Sequence, residues 1–143
     1  MTLLSLSKCQ SPNNSSFQSY LHTGDHIIQN THYRNTPTLG LDNTYVPIGC
    51  FRDKQHQNGR PLPEMVGNHR NGINWHQMSE TVKKCADDTW QKQFAVFGVQ
   101  FYGECWSGAT GYITYDKDGF NLIGCWEGVG KTHNNYVYAF TSK

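Results

Sequence analysis

Four cysteines, Cys50, Cys85, Cys105 and Cys125, fall within residues 44–143 of a 143-residue chain, and they constrain the fold more than any other feature. None belongs to a CxxC pair, and the histidines are not spaced as zinc ligands. Cysteines scattered through a loop-rich chain point to two disulfides and an oxidising compartment. The opposing reading is a reducing compartment with buried free thiols. Four cysteines also leave three pairings open.

The composition fits an extracellular chain. Charged residues make up 16% of it, against about 25% in a typical globular domain, so Asn, Gln, Ser and Thr must build the polar surface. A net charge of +1 and the lack of a basic stripe argue against a nucleic-acid partner. No apolar run approaches the roughly 20 residues of a membrane helix, so no membrane insertion is expected. "MTLLSLSKC" is short and lacks a basic start, so any secretory leader is expected to have been removed or replaced. Asn13-Asn14-Ser15-Ser16 holds two overlapping glycosylation sequons, in keeping with a secreted protein.

The chain divides in two. Residues 1–43 are polar and irregular, and residues 44–143 hold four of the five cysteines and all four tryptophans. In the second part, "GINWHQMSETVKKCADDTW" predicts a helix. Trp75, Met78, Val82, Cys85, Ala86 and Trp90 form its apolar stripe, Asn74 and Gln77 a capping box, and Ile73 a staple onto Met78. "YVPIGCF", "FAVFGVQF", "GYITY" and "NYVYAF" predict strands. The expected class is α+β: an antiparallel sheet with one helix across it, loop-rich and disulfide-stapled.

Side-chain alternation sorts the stretch "FGVQFYGECWSG" by face. Ala95, Phe97, Val99, Phe101 and Cys105 would face the helix. Gly98, Gln100, Tyr102, Glu104 and Trp106 would share the other side, with Gly103 free to introduce a bulge or turn. An amide, a phenol, a carboxylate and an indole on one face suit a small polar ligand. Ordinary cross-strand packing is the alternative. Cys50 lies on the first domain strand and Cys125 near the last, so a bridge between them would tie the ends of the domain, while Cys85 on the helix stripe and Cys105 on the inward face can meet where helix packs on sheet. The expected bridges are therefore Cys50–Cys125 and Cys85–Cys105.

"YDKDGFN" alternates oxygen donors around a glycine, as calcium loops do, although Asp-Gly also makes a plain hairpin turn. "WEGVGKTHNNYVY" adds Trp126, Glu127, Asn134 and Asn135 in a glycine-rich loop, where side-chain oxygens could contact ligand or metal or else satisfy turn backbone.

"GCFRD", "RPLPEM", "KKCADD", "FGVQFYGECWSG" and the closing "NNYVYAF" together resemble a WSC-type domain, a cysteine-containing, carbohydrate-associated extracellular module. With "YDKDG" included, the run is more similar still to sea-anemone galactose-binding lectins. The resemblance spans residues 44–141. The chain departs from the WSC pattern at Ser107, where that pattern carries a further cysteine, and it lacks the full WSC disulfide framework. The resemblance implies a secreted, extracellular sugar binder, with galactose-containing glycans recognised through a bound calcium ion.

These readings converge on a lectin rather than an enzyme, since no acid–base pair or nucleophile order stands out. An extracellular matrix or adhesion module without a sugar site is the rival. The expected sugar pocket is Gln100, Glu104, Trp106 and Glu127, with Asn134 and Asn135 at its rim. The expected calcium ligands are Glu104, Asp116, Asp118 and Glu127. Cys9 is left over and is expected to bridge two copies into a homodimer. In that dimer the arm of residues 1–43 would pack across the partner through Leu21, Ile27, Ile28 and Tyr33.

Overall fold

A computed structural model describes residues 40–143. The expectations placed on Cys9, on the sequons and on Leu21, Ile27, Ile28 and Tyr33 lie outside the described residues. In chain order the elements are β1 Leu41–Arg52, β2 Glu64–Asn68, α1 Ser79–Gln91, β3 Val96–Gln100, β4 Glu104–Ser107, α2 Gly111–Thr114, β5 Cys125–Trp126, β6 Val129–Gly130 and β7 Asn134–Ser142. Five strands form one antiparallel sheet in the order β1-β7-β3-β4-β2, and β5 pairs with β6 as a separate hairpin. The class is α+β, as the helix and strand patterns predict. Among the described residues no helix is long and apolar enough to cross a membrane.

Both faces of the sheet are covered. On one, α1 lays Val82, Cys85 and Ala86 against Phe97, Val99, Cys105, Tyr138 and Phe140. On the other, Phe51, Leu62, Val96, Trp106, Tyr115, Val137 and Ala139 form a second apolar cluster. Every residue of β3 is buried as a result, because a central strand has no solvent side once both faces are roofed. Gly98 stands at its middle because a Cβ there would come within 2.8 Å of Leu62 and 2.9 Å of Asn135. The edges take the residues that a ladder interior rejects. Pro47 lies on edge strand β1, and β2 at the other edge is short and begins with Glu64.

The structure corrects four local expectations. The helix begins at Ser79, so Asn74 does not cap it; its side chain instead accepts the His76 N–H at 3.1 Å in the preceding turn. Trp75 consequently leaves the apolar stripe and is 53% exposed. "GYITY" is a helical turn rather than a strand: Tyr115 enters the second cluster while Ile113 stays exposed, and Thr114 Oγ1 donates to the Pro61 carbonyl at 2.6 Å. Finally, "FGVQFYGECWSG" is a hairpin rather than one strand. Phe101 and Tyr102 take φ of 48° and 68° in its turn, so Phe101 does not face the helix and Tyr102 leaves the strand.

Both expected bridges are present. Cys85–Cys105 joins α1 to β4 with Cα atoms 5.1 Å apart, and Cys50–Cys125 joins β1 to β5 at 6.0 Å. Closing 75 residues of chain removes more unfolded-state freedom than closing 20. Replacing Cys50 and Cys125 together by Ser is therefore expected to cost about 4 kcal/mol, and replacing Cys85 and Cys105 about 3 kcal/mol. Urea titration of the two variants reads these losses; a loss below about 1 kcal/mol for the longer loop would contradict the chain-entropy account.

Candidate functional site

The sheet register brings four of the expected sugar-pocket residues together. Gln100 pairs with Glu104 on one side and Asn135 on the other, and Trp106 stands opposite Gly98. The shared face survives the hairpin because cross-strand partners point the same way. The loop after β1 then closes over these residues. Asp53, fully buried, accepts from Arg60 Nη2 at 2.6 Å, Arg60 Nε at 3.0 Å and Gln100 Nε2 at 3.0 Å. Gln100 Nε2 also donates to Asn135 Oδ1 at 3.3 Å. The Arg60 guanidinium lies 3.6 Å from the centre of the Trp106 ring, and the Trp106 Nε1–H donates to Glu104 Oε2 at 3.0 Å. Gln100 is 1% exposed and Trp106 8%, so these groups are turned to one another rather than to solvent. A buried carboxylate needs such a set of donors to offset its lost hydration.

The other expected residues have different neighbours. Asp118 Oδ2 accepts the Lys54 N–H at 2.8 Å, and the Asp116 carbonyl accepts the Gly119 N–H at 3.0 Å, so this loop is built as a turn. Asn134 exchanges side-chain bonds with Asn121 and the Thr132 carbonyl. Glu127 sits in the turn between β5 and β6 with φ of 49°. Among the described residues, the carboxylates of Glu104, Asp116, Asp118 and Glu127 do not meet in threes. The one such group of metal-type donors is His69, Asp88 and Cys105, whose atoms lie within 4.8 Å of one another. Cys105 is already bound to Cys85 there, and His69 Nε2 is 2.7 Å from Asp88 Oδ2, so two side chains remain that already satisfy each other.

Solvent meets a different set. Tyr102 lies 5.5 Å from Trp75, and Trp75 6.4 Å from Trp126, ring centre to ring centre. Trp75 and Trp126 are 53% and 43% exposed, so the three rings make an aromatic ledge. Two turns hold it. Phe101 and Tyr102 occupy left-handed backbone, which costs a bulky residue on the order of 1 kcal/mol or more. Their N–H groups donate to the Lys131 and Gly130 carbonyls at 3.3 and 2.9 Å, which fixes the conformation against β6. Glu127 and Gly128 both have positive φ between paired Trp126 and Val129, as a two-residue hairpin turn of this twist requires. Sequence reasoning missed Trp75 because its spacing matched the helix stripe. Trp126 was legible only as a member of a glycine-rich loop beside Glu127, because so short a strand carries no periodic signal.

Beside the ledge lies a cleft of about 420 Å³, within the size range of small-ligand pockets. His76 and Gln77 line it from the segment of Trp75, Glu127 from the segment of Trp126, and Ser79, Tyr45 and Tyr138 from the floor and wall. Burial raises the Tyr138 phenol well above its ordinary value, with smaller contributions from Tyr136 and Tyr45. It therefore stays protonated and donates to the Gly128 carbonyl at 2.7 Å, which anchors the Glu127 turn.

The buried network makes a clear stability prediction. Arg60→Ala leaves the Asp53 carboxylate buried without its cation, which is expected to cost about 3 kcal/mol. Chemical denaturation would read this, and a loss below about 1 kcal/mol would show that Gln100 and backbone donors satisfy Asp53 alone.

No family model, curated protein or solved structure matches this chain.

Proposed function

We propose that the protein is a secreted carbohydrate-binding protein that holds galactose-type sugars on the Trp75–Tyr102–Trp126 ledge. The observation that carries this reading is the exposure of two tryptophans, Trp75 lying 5.5 Å from Tyr102 and 6.4 Å from Trp126, ring centre to ring centre. Exposed apolar area of this kind marks a binding surface. The axial hydroxyl of galactose clears one face of its ring, leaving a C–H patch that an aromatic face covers. His76, Gln77 and Glu127 stand next in line to bond the hydroxyls.

Binding rather than turnover is supported by the charges at the cleft. Among the described residues Glu127 is its one lining carboxylate, whereas hydrolysis of a glycosidic bond ordinarily uses two. The four carboxylates expected to hold calcium are not gathered into a site, so the sugar contacts are derived without the ion. Two disulfides in the domain accord with an extracellular setting. A Cys9-bridged dimer would carry two ledges and so gain avidity on a multivalent surface.

An adhesion module is the second reading. It is favoured by Leu122 and Ile123, which are 78% and 81% exposed on the loop before β5.

The test is retention on immobilised galactose, with a titration of lactose into the free protein. Trp75→Ala and Trp126→Ala are each expected to weaken binding about ten-fold, the worth of one lost aromatic contact. Lactose binding that both variants leave intact would remove the ledge from recognition. Wild-type protein that binds no glycan, but loses cell adhesion when Leu122 and Ile123 become Ser, would favour the adhesion module. Repeating the titration with a chelator reads calcium dependence directly, and abolished binding would place an ion at the site.

A further inference from the structure

The aromatic row does not stop at Tyr102. Phe101 lies 6.3 Å from it, and the Arg70 guanidinium sits 3.7 Å over the Phe101 ring. A line of four rings, Trp126, Trp75, Tyr102 and Phe101, thus ends in a cation. The backbone at that end is tightly placed. The His69 N–H donates to the Gly103 carbonyl at 2.8 Å and the Arg70 N–H to Asn68 Oδ1 at 3.1 Å. Gly103 permits the approach, since a Cβ there would stand 3.1 Å from the Arg70 nitrogen.

Arg70 differs from the other described arginines in how its donors are used. Arg52 donates to the Phe120 carbonyl at 2.5 Å, and Arg60 donates twice to Asp53. The Arg70 side chain makes no hydrogen bond to any described residue, and its nearest acid oxygen is Glu104 Oε1 at 4.0 Å. Stacking on Phe101 orients the guanidinium, while its N–H fork remains unspent at 41% exposure. An oriented fork with free donors is a receptor for an oxyanion, which it bonds bidentately. Glu104 is the competing anion. Its other oxygen is held by the Trp106 indole, and at 4.0 Å it opposes a ligand through a partly solvated field rather than by occupying the fork.

We propose that Arg70 forms an acidic subsite at the end of the ledge, so that the preferred ligand is a galactose-type oligosaccharide bearing one sulfate ester or carboxylate. This rests on the reading of the ledge as a sugar platform. A single acidic group is specified because the chain carries a net charge of only +1 and, among the described residues, one arginine side chain that makes no hydrogen bond, too little to draw a polyanion.

The experiment compares three disaccharides on the full chain by calorimetry: neutral lactose, lactose carrying one sulfate, and a galacturonate-containing disaccharide. The wild type is expected to bind at least one acidic form about ten-fold more tightly than lactose. Whichever acid gains more identifies the anion. Arg70→Gln is expected to bring the acidic-to-neutral affinity ratio down to about one, and Arg70→Lys, which keeps charge without the fork, to an intermediate value. Glu104→Gln is expected to raise the ratio. Equal wild-type affinity for neutral and acidic sugars, or an Arg70→Gln variant that keeps the ratio, overturns the subsite while leaving the ledge standing. Failure of all three sugars to bind overturns the ledge and the subsite together.

Discussion

The Cys85–Cys105 bridge is the constraint on which the rest of the arrangement depends. It ties the middle of α1 to β4, and β4 is the strand on which the hairpin turn of Phe101 and Tyr102 folds back. The same bridge fixes where α1 lies over the sheet, and so where the segment before it runs out into solvent. Trp75 belongs to that segment. The aromatic contact between Trp75 and Tyr102 therefore depends on a covalent tie ten residues further along the chain. Cys50–Cys125 acts at the other side, placing the β5–β6 hairpin, and with it Trp126, beside β1.

Two kinds of polar chemistry result, on opposite faces of one sheet. The Asp53–Arg60–Gln100–Asn135 group is internal. Its donors and acceptors face one another, and Arg60 covers the ring of Trp106. Among the described residues, Asn135 Nδ2 is the one buried side-chain polar atom that makes no hydrogen bond. Such a group specifies how the loop after β1 docks, because any other position would strand a buried carboxylate. The cleft side is the reverse. Its tyrosines are anchored by burial, with Tyr138 bonded to the Gly128 carbonyl, while His76, Gln77 and Glu127 keep their ends toward solvent. Rigid support under unspent polar groups is what a binding surface requires.

Backbone strain marks the same side. Phe101, Tyr102 and Glu127 are bulky or charged residues held in a conformation that favours glycine. Tyr102 itself contacts the exposed Trp75, and Glu127 directly follows the exposed Trp126. At Phe101 and Tyr102 the cost of that conformation is offset by hydrogen bonds to the Lys131 and Gly130 carbonyls.

The sequence by itself determined the class, the bridges and the inner face of the sheet. Alternating Phe97, Val99 and Cys105, and helix-spaced Met78, Val82, Cys85 and Ala86, demand a shared core, and that core leaves little choice of cysteine partner. It also grouped Gln100, Glu104 and Trp106 correctly, since antiparallel partners keep their side whether the chain runs on or turns back. Only the tertiary structure decided that this group is roofed by Asp53 and Arg60, because burial by a distant loop leaves no periodic trace. Only it decided that "GYITY" coils, where Tyr115 finds a core and no strand offers a ladder. The ledge was illegible for the same reason. Trp75, Tyr102 and Trp126 come from two turns and a two-residue strand far apart in the chain, and their meeting depends on where two disulfides and a strained hairpin carry it.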